Sequence, residues 1–451
     1  MTSPRNDRSY LFYQTDHPRP TLDRAEGIYM WDTDGNRFID GSSGAMVCNI
    51  GHSNPRVLEA MRRQMEKSTF GYRLHFVTEA SEALAARTAA LAWPGMDRVF
   101  FVSGGSEAVE SAMKLARQYA LAIGEGSRWK VISRWPSYHG CTLGALSITG
   151  YDSLTDPFRP LMQAMPKVPA PRAWLDGLVP ENPTTGQHYA DLLEAQIIAE
   201  GPESVLAFIL EPIGGASTGA LVPPRGYMEA VREICTRYGV LLIHDEVMSG
   251  GGRTGRFFGG QHWSAAPDIL AISKGFGAGY VPLGAMVARE DIVEAVLAKG
   301  GFLHGFTYAG NPLACAAGLA VIEEIERLDL VSHADKIGIL LKNELLTLME
   351  RYPFIGDVRG LGLLLAFELV ADRTTKEPFP AAFKAFDRLT EAAYRRGLII
   401  YPRRSRGGYS GDHLIVAPPM ITTPAQVGEI IEKLTGALDT FAGEIPAGTV
   451  A

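Results

Sequence analysis

The sequence has 451 residues, 46% of them hydrophobic and 21% charged, the balance of a soluble globular protein too long for one ordinary core; two or three domains are expected. A net charge of −7 argues against nucleic acid or an anionic membrane as the main partner, and no apolar run approaches the length of a membrane span. The cysteines, Cys48, Cys141, Cys235 and Cys315, stand far apart without CxxC spacing, which fits a reducing compartment and argues against structural zinc. The polar start MTSPRNDRSY lacks an apolar export core, so a cytoplasmic protein is expected.

In chain order, a polar lead-in precedes a hairpin, in which strand-like runs from Gly27 to Asp40 flank an Asp34-Gly35 turn. The stretch GSSGAMVCNIGHSNPRV that follows has too little pattern for a regular element. Asn54 and Pro55 then open a helix running through Glu66. A helix is predicted over 78–93, a strand over 98–102, and a glycine turn leading into a helix with Val109, Ala112, Met113 and Ala116 on one face. Further strands are predicted over 130–133, 205–210, 240–243, 269–273 and 284–288, an alternation with helices that implies a largely parallel sheet covered on both faces. Residues 151–200, rich in proline, read as a surface excursion. Later, Asn311-Pro312 and Thr423-Pro424 open helices, the second with Val427, Ile430, Ile431, Leu434 and Leu438 on one face.

Chemistry gathers at the strand ends. The run Val240–Ile243 leads into His244-Asp245-Glu246 and the run Ile269–Ile272 into Ser273-Lys274-Gly275, placing one anion and one amine at the same sheet edge. Pyridoxal phosphate needs that pairing: a lysine to hold its aldehyde and a carboxylate to keep its pyridine nitrogen protonated. A turn-capping aspartate and a solvated loop lysine would read the same way. Gly104, Gly105 and Ser106, opening a helix, can bring backbone N–H groups to a phosphate monoester, although such turns also serve only to bend the chain. The stretch lacks GxGxxG and GK[ST] spacing, which counts against dinucleotides and nucleoside triphosphates. Tyr138 can stack on a ring and His139 can order Asp245, or both can simply pack.

Jointly, GGSEA, YHG, Glu211-Pro212, Asp245-Glu246-Val247, Ser273-Lys274-Gly275 and Gly305-Phe306-Thr307-Tyr308, in this order, closely resemble the class III aminotransferases of the fold-type I pyridoxal-phosphate enzymes. The resemblance runs from Ile28 to Ala417 and implies an α/β fold: a large domain with a mostly parallel seven-stranded sheet, plus a smaller α+β domain. Domain bounds follow by the same analogy: 1–60 an N-terminal arm belonging with the small domain, 61–325 the large cofactor-binding domain, and 326–451 the small domain. Lys274 is implied to bond pyridoxal 5′-phosphate, and Asp245 to pair with its pyridine nitrogen. Val247 and Tyr138 are implied to flank the ring, Gly104, Gly105 and Ser106 to hold the phosphate, and Glu211 to order the pocket, where His139 is a further candidate cofactor-site residue from its position beside Tyr138. Thr307 is implied to reach the phosphate of a neighbouring subunit, so a homodimer or dimer of dimers is expected.

Two departures bear on substrate. Family members that use 2-oxoglutarate commonly carry an acid five residues after the EP glutamate, where this chain has Ala216, so pyruvate or a similar oxo acid is the expected acceptor. The amine-accepting branch often has an arginine where Tyr401 stands, so a substrate carboxylate needs another partner. Arg403, Arg404, Arg406 and Arg73 are the candidates, a bidentate guanidinium being the favoured solution. Met46 stands where amine-accepting relatives often have tryptophan; with Tyr138 and Arg403 it is expected to shape the pocket. No metal is expected. The expected activity is amino transfer from an amine or ω-amino acid by a ping-pong route. An aminomutase, decarboxylase or racemase is the alternative on the same cofactor, and a non-catalytic cofactor-binding regulator the alternative of another class.

Overall fold

The computed structural model describes residues 10–12 and 19–446, so most of the polar lead-in lies outside the described residues. A strand not expected from the sequence, β1 (Leu22–Glu26), runs antiparallel to β2 (Tyr29–Asp32), which pairs with β3 (Arg37–Asp40) through the expected turn. Asp32 Oδ1 accepts the N–H groups of Asp34 and Asn36 at 3.0 and 2.8 Å, and Gly35 adopts φ +85°; carboxylate and glycine together fix the reversal. The next stretch is irregular, with one short turn over Ser43–Met46. Asn54 then caps the helix Pro55–Lys67 by accepting the N–H groups of Arg56 and Val57.

The central sheet contains β4 (Arg98–Val102), β5 (Lys130–Trp135), β6 (Lys167–Pro169), β7 (Val205–Leu210), β8 (Leu241–Asp245), β9 (Ile269–Ile272) and β10 (Gly284–Ala288). Their order is β4-β10-β9-β8-β7-β5-β6, parallel from β6 to β9, with β10 antiparallel to both neighbours. This is the largely parallel seven-stranded sheet expected. Both faces are covered, as period-two alternation shows: Ala207, Ile209 and Ile243 join the apolar cluster of the helix Gly105–Ala122, whereas Phe208 and Leu242 join that of the helices Pro183–Glu200 and Tyr227–Tyr238.

The reading of 151–200 as a surface excursion is corrected. It contains the seventh strand, β6, and the helix Pro183–Glu200, whose Tyr189, Leu193 and Ile197 are buried. A three-residue edge strand ending in proline leaves almost no pattern to read.

Beyond 326, β11 (Ile355–Leu361), β12 (Leu364–Leu369), β14 (Tyr401–Arg406) and β15 (Ser410–Val416) form an antiparallel sheet in the order β11-β12-β15-β14. The two-residue strand β13 (Leu398–Ile399) instead pairs in parallel with β3. The terminal helix Pro424–Glu444 starts with a capping box from Thr423 and Gln426 and buries Val427, Ile430, Leu434 and Leu438, with Ile431 half-buried. Its Glu429 accepts from Arg37 at 2.6 Å and from Tyr29 at 2.9 Å, tying the N-terminal strands to the C-terminal part.

Candidate functional site

Strands β4, β5, β7, β8 and β9 run in one direction, so the residues after each meet along one sheet edge. Gly104–Ser106 follow β4, Tyr138 and His139 follow β5, Glu211 follows β7, Asp245 closes β8, and Lys274 lies just past β9.

Asp245 is 4% exposed and His139 2%, with Nδ1 of His139 2.8 Å from Oδ2 of Asp245. A carboxylate only accepts, so the shared proton sits on the imidazole. Oδ1 of Asp245 takes the Val247 N–H at 3.0 Å, while Nε2 of His139 has no hydrogen-bond partner among the described residues. Val247 packs against the helix start: a Cβ placed on Gly105 would stand 2.7 Å from Val247 Cγ1, so only glycine allows this approach.

Gly104 is extended and precedes the helix Gly105–Ala122, whose first N–H groups have no carbonyl of their own helix to bond. Ser106 Oγ accepts the Cys141 N–H at 2.9 Å, joining the segments after β4 and β5. Glu107 Oε2 takes the Ser103 N–H at 2.9 Å, bracing the turn from within.

Glu211 Oε1 accepts the Gly215 N–H at 3.0 Å and its Oε2 has no hydrogen-bond partner among the described residues; burial, above all, raises its pKa despite the nearby His139 and Arg134. Arg134 is 1% exposed and donates to the Glu211 carbonyl at 2.6 Å, with the same Nη2 3.8 Å from Oε2. Arg134 was missed from the sequence, where an arginine inside the apolar strand Lys130–Trp135 is the signal of a buried charge with a task.

Lys274 adopts a left-handed φ of +46° and is half-buried. Burial pulls its amine down to about 8, against the opposing pull of Asp245 and Glu211. The turn is seated on Asn49, whose side-chain amide fills the space a Cβ on Gly275 would need. Asn49 donates to the Gly251 carbonyl at 2.8 Å and accepts from the fully buried Arg253 at 2.5 Å; Arg253 also reaches the Leu363 carbonyl at 2.9 Å. These two residues, also missed from the sequence, bind the N-terminal arm and the β11–β12 turn to the base of the lysine turn. A charged residue inside the glycine run GGGRTG is the visible trace of Arg253.

Tyr138 is half-buried, and burial raises its phenol, with the side chains of Cys141, Tyr401, Arg403 and Asp245 around it. Arg403 donates to Tyr401 Oη at 2.6 Å, lies 4.6 Å over that ring, and its charge acts on both Tyr138 and Lys274. Arg404 pairs with Asp412 at 3.0 Å and Arg406 with the Lys376 carbonyl at 2.8 Å. Arg73 donates to the His304 carbonyl at 3.3 Å and lies over the Phe100 ring; His304 in turn contacts Ser111 of the helix Gly105–Ala122. Thr307 is exposed in the same segment as His304. Met46 is 1% exposed and packs in a cluster with Ile213, Met248 and Leu364, against which Tyr401 lies.

A family model described as aminotransferase class-III matches residues 12–438. The chain belongs to the class III aminotransferases. It is 35% identical to the putrescine–pyruvate aminotransferase of Pseudomonas aeruginosa, covering 94% of this chain and 92% of that one. It is also 35% identical to the diaminobutyrate–2-oxoglutarate transaminase of Halomonas elongata, covering 95% and 92%. A crystal structure of an omega transaminase from Pseudomonas jessenii in complex with PMP superposes with a TM-score of 0.89 at 33% identity, covering 95% and 94% of the two chains.

Class III aminotransferases use pyridoxal phosphate, and the residues of this aminotransferase fit that cofactor. The chain offers a helix start stripped of side chain at Gly104 and Gly105, a buried carboxylate held by an imidazole, and an amine of lowered pKa at one edge. The unpartnered His139 Nε2 and Glu211 Oε2 are further polar atoms available there.

Proposed function

We propose that this aminotransferase moves an amino group from an amine or ω-amino acid to pyruvate or a similar small oxo acid, the two substrates using one site in turn with ping-pong kinetics. When bound, pyridoxal phosphate supplies an aldehyde and an electron-accepting pyridine ring. Lys274 is the residue that would hold the aldehyde, and its Nζ, neutral in substantial part near pH 8, would take up and return the proton of the substrate carbon. Asp245, to which the His139 Nδ1–H can donate, would pair with the pyridine nitrogen. Gly104, Gly105 and Ser106 would hold the phosphate, Val247 and Tyr138 would lie against the ring, and Glu211 would order the pocket. The observation that carries this reading is the meeting of Asp245–His139 and a burial-softened Lys274 on one sheet edge.

For the substrate, Arg403 is the carboxylate partner best supported, since its charge reaches Lys274 and Tyr138 while Arg404 and Arg406 are engaged elsewhere. Met46 and Tyr138 shape the same end of the pocket, with Arg73 held as an outer residue near its mouth. Ala216 presents no acid to pair with a switching arginine, which favours pyruvate over 2-oxoglutarate. Phe70, Leu74, Phe76 and Val77 are exposed on a segment that meets exposed Leu303 and Tyr308, beside Thr307, through the Phe70–Tyr308 ring contact and the Arg73–His304 hydrogen bond, and we assign this apolar surface to a second copy of the chain, with Thr307 completing the partner's phosphate site. Residues 1–60 are assigned with 326–451 to the small domain and 61–325 to the large one, supported by the β3–β13 pairing. Among the described residues no helix is long and apolar enough to cross a membrane.

The test is a matrix of amines and ω-amino acids against pyruvate and 2-oxoglutarate. Turnover with pyruvate and parallel double-reciprocal lines are expected. Turnover with 2-oxoglutarate alone, or intersecting lines, would overturn the proposal.

A further inference from the structure

We propose that Asp40, Cys48 and His52 form a binding site for a thiophilic divalent cation of the zinc type, outside the cofactor pocket. The three residues lie between the end of β3 and the helix Pro55–Lys67, and a carboxylate oxygen, a sulfur and an imidazole nitrogen all fall within 4.8 Å of one another. Thiolate, imidazole and carboxylate together are donors that zinc accepts and that calcium or magnesium does not select.

The geometry is close to what an ion requires. Ligands bonded at about 2.0–2.1 Å to a tetrahedral ion stand roughly 3.3 Å apart, and His52 Nε2 is 2.9 Å from Asp40 Oδ2. The sulfur needs to close by at most about an ångström to reach its own bond length of roughly 2.3 Å. The second oxygen of Asp40 accepts the Gly44 N–H at 2.7 Å, which fixes the carboxylate as an outer hydrogen bond fixes a metal ligand. Asp40 is buried whereas Cys48 and His52 are partly exposed, so the ion enters from solvent and a fourth position stays open to water. Binding displaces the proton shared by Asp40 and His52 together with that of the thiol.

The loop between Asp40 and Cys48 carries Met46, buried with a left-handed φ of +57°, and Cys48 Sγ lies 3.1 Å from a Cβ placed on Gly279, on the segment following Lys274. An ion at this position ties both ends of the Met46 loop beside the catalytic turn. One cysteine without a second nearby gives no spacing motif, which is why the sequence argued against zinc.

The experiment uses holoenzyme stripped of metal with a chelator and titrated with Co²⁺. It is followed at wavelengths beyond the cofactor's absorption, where tetrahedral cobalt bound by thiolate absorbs, and Zn²⁺ displacement then gives the affinity. One equivalent per chain is expected, with at least ~10-fold weaker binding in both Cys48→Ala and Cys48→Ser and an unchanged cofactor spectrum. Absence of the cobalt bands in the wild-type chain, or equal affinity in either Cys48 variant, would overturn the proposal.

Discussion

His139 Nδ1 lies 2.8 Å from Asp245 Oδ2 in a space that exposes neither residue appreciably. A hydrogen bond to a buried charge is worth about 1.5–3 kcal/mol, so His139→Ala is expected to weaken pyridoxal-phosphate binding by roughly 10–100-fold. Equilibrium dialysis against the cofactor reads this directly, and unchanged affinity would show that Asp245 needs no such partner.

Among the described residues Arg403 rests on Tyr401 rather than on a carboxylate, which leaves its charge available for substrate. Arg403→Ala is expected to raise KM for pyruvate about 10-fold or more, while leaving KM for an amine donor without a carboxylate within about 2-fold. Equal losses for both substrates would reassign the residue to pocket structure.

Glu246 is fully buried and accepts the N–H groups of Gly259 and Gly260 at 2.8 and 2.6 Å and the Ser249 hydroxyl at 2.5 Å. Burial nevertheless raises its pKa to about 7. A carboxyl whose folded pKa exceeds its unfolded value stabilises the fold fully below the unfolded pKa, and that contribution is lost as pH rises through about 7. Glu246→Gln should therefore be less stable than wild type, by about 1–3 kcal/mol for an unpaired donor, with the gap narrowing as pH rises from 4.5 to 7. Denaturant melts across that range check the sign; a gap that widens would refute it.

Lys274 gives a second pH signature. With the amine at about 8, covalent capture of cofactor by the apoenzyme should speed up as pH rises towards 8 and level off above it. An ordinary lysine would keep accelerating towards 10.5, and stopped-flow absorbance separates the two.

The central strands and the chemistry at their ends were legible because a parallel sheet buries both faces: Val205–Leu210 is apolar throughout, and polar residues resume abruptly at Glu211. The Asp34-Gly35 turn and the asparagine and threonine caps were equally plain, because each acts over a few residues. Long-range dependence hid the rest. Asn49 acquires its place under Lys274 only when Gly275 and Arg253 arrive from some two hundred positions away. Similarly, β6 exists as a strand only because β5 offers an edge to pair with. The engagement of Arg404 by Asp412, which singles out Arg403, depends on the pairing of β14 with β15.

The most direct test of the central claim is borohydride reduction of the holoenzyme followed by peptide mass mapping. The reduced cofactor is expected on the peptide containing Lys274, and is expected to be lost from that position in Lys274→Ala. Cofactor trapped on another lysine in the wild-type chain, or left entirely non-covalent, would contradict it.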